Sequence, residues 1–446
     1  MNPPHPDRPP TMEKETESGK AARLQWWTDA RLGMFIHWGL YSMAARHEWV
    51  KRYERMSDED YRKYFDLFEP DLYDPREWAR LARAAGMKYA VITAKHHEGF
   101  CLWDSRFTDY KATRTACGRD LLAEWLDAFR AEGLRVGVYY SLLDWHHPHY
   151  PIDRNHPQSA DSDEGYATLN QGRELKIYQQ YMKDQIRELL TGYGGIDLIW
   201  MDYSFPSGKH GKGHADWDSE NLLAMVRELQ PGIIVNDRLD LLDVEGGGDF
   251  TTPEQYKVSK WPERNGKRLA WETCQTFSGS WGYHRDEMSW KTPRQLLVLL
   301  IESVSKGGNL LLNVGPTARG TIDARATASL DAIGAWMRFN QRAIYGCTQA
   351  PDTFSTPPQT LLTWHPGTRR MYVHLLDYPM GHLLLPGFGG KVSYAQFLHD
   401  GSEIREGTPP ANVTYNEELA DSDLCLVLPV VQPDVEIPVI ELYLND

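Results

Sequence analysis

The residues best equipped for chemistry in this chain are Asp202, Glu254 and Glu272, three histidines (His37, His96, His97), and Tyr139, Asp144, Asn236, Arg238 and Asn309. Most of them stand at or just beyond the C-terminal end of a short apolar run. Ends that merely stop a strand would be rich in Gly, Ser and Asn, which suit turns. This set carries imidazoles, carboxylates and a guanidinium instead. Three chemistries could use it. His96 and His97 with nearby carboxylates could hold a metal for assisted hydrolysis. The strand-end histidines have neither HxH nor HExxH spacing, so no metal is expected. A cup of His, Arg and Trp could bind sugar hydroxyls without reacting. Two carboxylates could cleave a glycosidic bond, one as nucleophile and the other as acid, then base. Nucleophilic Ser catalysis would call for a GxSxG elbow, which is absent.

Such residues act together only if the chain gathers its strand ends. The run Ile196–Tyr203 follows Gly194-Gly195 and ends on the acid. As a strand it alternates, with Trp200 and Asp202 on one side and Met201 on the other. Comparable runs are Leu32–Gly39, Met87–Ala94, Leu134–Ser141, Ile233–Val235, Leu269–Cys274 and Asn309–Val314, while Gly248–Glu254 is a poor eighth candidate. Helical spacing falls between most of them, near Pro75–Ala85, Leu121–Phe129, Arg173–Leu190, Asn221–Leu229, Arg294–Val304 and Thr327–Ile344. Eight strands alternating with helices predict an α/β fold, a distorted (β/α)8 TIM-like barrel over residues 21–350 with its active site at the strands' C-terminal ends. From 351 to 446 the runs are short, turn-separated and without helical period, which predicts a β-sandwich. His146–Gly172 and His210–Asp218 read as rim loops.

Composition narrows the partners. A formal charge of −14 over 446 residues argues against nucleic acid. No apolar run reaches membrane-spanning length, so no membrane partner is expected. Residues 1–20, Pro-rich and charged with no apolar core, read as a disordered tail and not as a signal peptide, which gives a cytoplasmic expectation. The five cysteines are scattered and odd in number, consistent with reduced thiols. Sixteen tryptophans suit sugar stacking or simple core filling.

The segments Phe35-Ile36-His37-Trp38-Gly39, Glu48-Trp49, Ala94-Lys95-His96-His97-Glu98-Gly99-Phe100, Val138–Ser141, Ile199–Asp202, Val235–Arg238, Trp271-Glu272 and Gly307–Pro316 strongly resemble the α-L-fucosidases of glycoside hydrolase family 29. The resemblance runs in order from about Trp26 to Tyr345. It implies a distorted barrel followed by a β-sandwich, and an exo-acting, retaining hydrolase without a cofactor. It makes a fucosylated oligosaccharide or glycoconjugate the partner and allows a homo-oligomer. Asp202 takes the nucleophile's place, and His37, Glu48, Trp49, His96, His97, Tyr139 and Arg238 take the sugar-binding places. Trp49 and the aromatic segment around Trp281 suit the C5 methyl group. For the acid/base, Glu254 is favoured and Glu272 competes, the latter having the alternative of a buried carboxylate orienting groups such as Arg238. Many members carry Gly after the nucleophile, whereas this chain has Tyr203, which bears on the leaving-group side. A catalytically inactive fucose-binding barrel and an α-L-galactosidase remain as alternatives.

Overall fold

A computed structural model describes residues 15–241, 244, 246–408 and 420–445. Its centre is a parallel sheet of β1 (Leu32–Ile36), β2 (Tyr89–Lys95), β3 (Arg135–Ser141), β4 (Leu198–Asp202), β5 (Ile234–Val235), β8 (Glu272–Thr276) and β9 (Asn309–Val314), with β6 (Glu263–Arg264) and β7 (Lys267–Arg268) forming a separate two-stranded hairpin. The order β5-β4-β3-β2-β1-β9-β8 is curved into a distorted barrel. Among the described residues this sheet has seven strands, not eight. The sixth position is held by Asp249–Glu254 through single bridges: Asn236 to Phe250, Thr251 to Trp271 and Glu254 to Cys274. Gly248 and Pro253 keep this segment from a continuous ladder, because Pro has no N–H to give and Gly adds no side-chain packing.

Why these runs become strands is plain from burial. Every residue of β1, β2, β8 and β9 is buried, as parallel strands covered on both faces require. Alternation divides the side chains. Phe35, Tyr89, Val91, Tyr139, Leu198, Trp200, Phe250, Cys274 and Leu311 fill the barrel interior. Met34, Ile36, Ala90, Ile92, Val138 and Met201 face the surrounding helices instead. Leu24, Trp27 and Ala30 of the first helix, Glu17–Ala30, join the interior cluster and plug the end of the barrel away from the strand termini. That helix corrects the expectation of a tail through residue 20: Thr16 accepts from the Gly19 N–H and caps it, so residues 17–20 are helical. The rest of the expected tail, residues 1–14, lies outside the described residues.

The helices follow the apolar spacing closely. Pro75–Ala84 starts with Asp74 as N-cap and Pro at its first position, and buries Trp78, Ala79 and Ala82. The rim segment 146–172 is not all loop, since Asp163–Leu169 is helical behind its Ser162 cap.

Among the described residues, the C-terminal part has two antiparallel sheets. One has the order β10-β11-β12-β17-β14, from Thr348–Gln349, Thr360–His365, Arg370–Leu375, Val439–Leu444 and Val392–Phe397. The other has the order β13-β16-β15, from His382–Leu385, Leu424–Val427 and Arg405–Glu406. Leu362, Val373 and Leu442 of the first pack with Leu385 and Leu426 of the second in one core, a sandwich. Its first strand precedes the expected boundary at 351, because Thr348 pairs with Trp364. Trp336 donates to Ile437 O at 3.2 Å and Arg294 meets Glu436 at 2.9 Å, joining this part to the barrel's helices. Among the described residues, no helix is long and apolar enough to cross a membrane.

Candidate active site

At the C-terminal mouth of the barrel lies a cavity of about 280 Å³. Inward positions of the strand ends line it. On β4 the period of two carries Leu198 and Trp200 inward, so Asp202 follows them into the cavity. On the sixth segment Phe250, Thr252 and Glu254 share a side, which brings Glu254 to the level of Cys274.

Arg238 ties the two acids together. Its Nη1 donates to Asp202 Oδ1 at 3.2 Å and its Nη2 to Glu254 Oε2 at 3.1 Å. Nε holds Thr252 Oγ1 at 2.7 Å, and the guanidinium lies 5.0 Å over the Trp200 ring. Burial works against its charge, but Asp202 and Glu254 help lift the guanidinium's pKa above the ordinary value. On the other side of Asp202, the Tyr139 hydroxyl donates to Oδ2 at 2.7 Å. Burial and the Glu254 charge raise the Asp202 pKa above the ordinary carboxylate value, while Arg238 and Tyr139 hold it down. Side-chain exposure separates the acids: 14% for Asp202 and 43% for Glu254. One is walled in, and the other opens to the mouth.

The histidines are oriented from behind. Asn313 Nδ2 donates to Trp281 O at 2.7 Å, which turns Asn313 Oδ1 toward His37 Nδ1 at 2.6 Å. Nδ1 of His37 therefore carries the proton, and Nε2 presents a lone pair. Ser141 donates its hydroxyl to Leu143 O at 2.8 Å and so accepts from His97 Nδ1 at 2.7 Å. This likewise leaves His97 Nε2 an acceptor, 4.0 Å from Asp202 Oδ2. Burial, reinforced by the neighbouring imidazoles, drives both rings' pKa values well below the usual range, so each is neutral near pH 7. His96 Nδ1 faces Glu98 Oε2 at 3.3 Å.

Adjacent His96 and His97 converge because β2 ends at Lys95 and the chain turns at once, Gly99 N donating to His96 O at 3.0 Å. Their ring centroids are 4.0 Å apart. Gly99 has φ +84°, and a Cβ there would come within 2.3 Å of Asp144 Oδ1, so this turn requires glycine. The far wall is aromatic. Trp281 lies 5.2 Å from His37, and Trp49 lies 5.0 Å from His97. Buried Glu48 accepts the Trp281 and Gly282 N–H groups through Oε2 at 3.2 and 2.9 Å, which pins the loop carrying Trp281.

Asp202, Glu254, His37, Glu48, Trp49, His96, His97, Tyr139 and Trp281 thus line one cavity, and Arg238 bonds both acids. Glu272 does not line it. Reading a strand from 269 to 274 put Glu272 near the rim, but β8 starts at residue 272 and so places it at the buried end. There it is 0% exposed; Oε2 accepts from Tyr89 Oη and, at 3.2 Å, from Trp27 Nε1. It braces the barrel floor, not Arg238. Asp144 pairs with buried Lys95 at 2.9 Å. Asn236 clasps the Met201 backbone at 3.0 and 2.8 Å, and Asn309 donates to Trp27 O at 2.8 Å. All three are structural.

His47, Tyr53, Gln255 and Cys274 also line the cavity and Asn313 stands behind His37, though none of them is among the sequence candidates. The strand period could have found Asn313 and Cys274; Tyr53 ends the one-turn helix Val50–Tyr53 and Gln255 lies on a loop, both too short for a periodic signal. Among the described residues, no group of three or more His, Cys, Asp or Glu is arranged to hold a metal ion.

Residues 4–342 match the family model described as Alpha-L-fucosidase. Human tissue alpha-L-fucosidase is 32% identical over 384 residues, 80% of this chain and 77% of that protein. Human plasma alpha-L-fucosidase is 31% identical over 83% of this chain and 80% of its own length. Among solved structures, alpha-L-fucosidase isoenzyme 1 from Paenibacillus thiaminolyticus superposes with a TM-score of 0.87 at 44% identity, covering 96% of this chain and 100% of that one. A family 29 alpha-L-fucosidase from Bacteroides thetaiotaomicron, with a covalent intermediate trapped from 2-fluoro-fucosyl fluoride, superposes with a TM-score of 0.81 at 27% identity, covering 97% of each chain.

Proposed function

The chain belongs to the alpha-L-fucosidase family, a family of glycoside hydrolases, and on that premise we propose that it removes terminal α-L-fucosyl residues from glycans with retention of configuration. The observation that carries this reading is the shared guanidinium: Arg238 bonds Asp202 on one side and Glu254 on the other, at the mouth of a single cavity.

In the first step Asp202 attacks the anomeric carbon while protonated Glu254 gives its proton to the departing glycosidic oxygen. The roles follow environment. Asp202 is enclosed, with Arg238 and Tyr139 donating to its two oxygens, which favours the ionised form and aims one lone pair inward. Glu254 is open enough to reach a leaving group and then a water. In the second step Glu254 takes a proton from that water, which attacks the fucosyl-enzyme ester and releases fucose and free Asp202.

The pocket suits the sugar. Neutral His37 and His97 each offer an Nε2 lone pair to a ring hydroxyl, since their Nδ1 protons are committed to Asn313 and Ser141. Trp281 and Trp49 supply an apolar surface for the C5 methyl group. The size of the cavity fits one sugar ring with its end enclosed, in keeping with exo action.

The test is kinetic and stereochemical. The enzyme should release fucose from an aryl α-L-fucoside as the α anomer first, with 2-deoxy-2-fluoro-fucosyl fluoride labelling the peptide that contains Asp202. A β product would mean inversion; faster turnover of the aryl α-L-galactoside would reassign the substrate, and binding without turnover would mark an inactive barrel.

A further inference from the structure

The residue after each of the two acids is left-handed and is not glycine: Tyr203 has φ +83° and Gln255 has φ +49°. A bulky L-residue avoids this region because its Cβ crowds the carbonyl, and such outliers persist where the surroundings hold them for a purpose. Both of these line the cavity. The lower lining, His37, His96, His97 and Tyr139, is buried, whereas Tyr203 is half-buried and Gln255 exposed beside the half-open Glu254. The Tyr203 ring is supported from three sides, at 5.4 Å by Trp49, 5.2 Å by His97 and 5.6 Å by Phe205. A ring buttressed this way keeps a fixed wall toward the mouth.

We propose that Tyr203 and Gln255 form the two walls of a leaving-group subsite, in which the second sugar of the substrate stacks on the Tyr203 ring while Gln255 hydrogen-bonds one of its hydroxyls. This rests on the hydrolase reading above and extends it to the leaving group. The apolar face of a pyranose matches an aromatic platform, and an amide offers both donor and acceptor to a hydroxyl. The left-handed turns have a consequence here: each reverses the chain directly after a catalytic acid, which sets the next side chain over the mouth and not into the barrel wall. The preferred substrate then carries a pyranose in the leaving group.

The experiment compares kcat/KM for an α-L-fucosyl-hexose disaccharide with kcat/KM for α-L-fucosyl fluoride, whose leaving group is a single atom and needs no second subsite. In Tyr203→Gly, which accepts the same φ without strain, the disaccharide-to-fluoride ratio should fall on the order of ten-fold, the usual scale of one lost ring contact. Tyr203→Phe should restore it, and Gln255→Ala should lower it by a smaller factor. A ratio unchanged in Tyr203→Gly, or equal losses on both substrates with the unfolding temperature preserved, overturns the subsite. A wild-type protein that turns over neither substrate overturns the reaction itself.

Discussion

The buried carboxyl of Glu272 offers a test that separates a structural acid from a catalytic one. Burial, opposed only in part by the Tyr89 and Trp27 donors, lifts its pKa from 4.5 to about 7. Neither Glu272 Oε1 nor the Trp200 indole N–H has a hydrogen-bond partner, so ionising this group leaves charge poorly solvated. The sign follows from linkage. Because the folded pKa is raised, the folded state holds this proton where the unfolded chain has lost it, and stability falls as pH rises from about 4.5 to about 7. A shift of this size, at about 1.36 kcal/mol per unit, amounts to roughly 3 kcal/mol fully developed, of which about 2.5 kcal/mol appears between pH 5 and 8.5. Glu272→Gln cannot ionise. Urea unfolding of both proteins at several pH values should show the variant gaining on the wild type by about that amount over this range. The difference cancels every other titrating group. A stability difference that stays flat with pH would refute the buried-acid argument. A loss of kcat above about 100-fold in a folded variant would instead return Glu272 to candidacy as the acid/base.

Other consequences concern the reacting groups. Glu254→Ala should lose about 100- to 1,000-fold on a glycan with a poor leaving group and less on an activated aryl fucoside, and added azide should restore turnover with α-L-fucosyl azide as product. Asp202→Gly with azide should give the β azide; Asp202→Asn should lose at least about 10,000-fold in kcat yet bind fucose in calorimetry, and loss of folding in its place would make Asp202 a turn-former. If Asp202 is the nucleophile as proposed, activity requires its ionised form and should fail as pH drops through that raised pKa. In Arg238→Met the acid limb of the kcat/KM profile should move to higher pH, since the cation lowering the Asp202 pKa is gone; an unmoved limb would contradict the shared-guanidinium account.

Much of this molecule was legible in one dimension. The period of two placed Trp200 and Asp202 on a common face, and the runs Leu32–Gly39, Met87–Ala94, Leu134–Ser141 and Asn309–Val314 became β1, β2, β3 and β9 because a strand buried on both sides needs an unbroken apolar sequence. What no local pattern contains is where a weakly specified segment docks. Residues 249–254 make only single bridges, and β8 begins three residues after the first residue of its expected run, so Glu254 rose to the cavity and Glu272 sank beneath it. Those positions are set by long-range pairing with Trp271, Cys274 and Asn309, and by the Trp27 plug from the first helix. The order of the amino acids determined which groups were available and which face each strand would turn inward. The closed tertiary structure decided which two acids share a guanidinium and which one is shut away from water, because register across a ring is fixed by contacts between residues far apart in the chain.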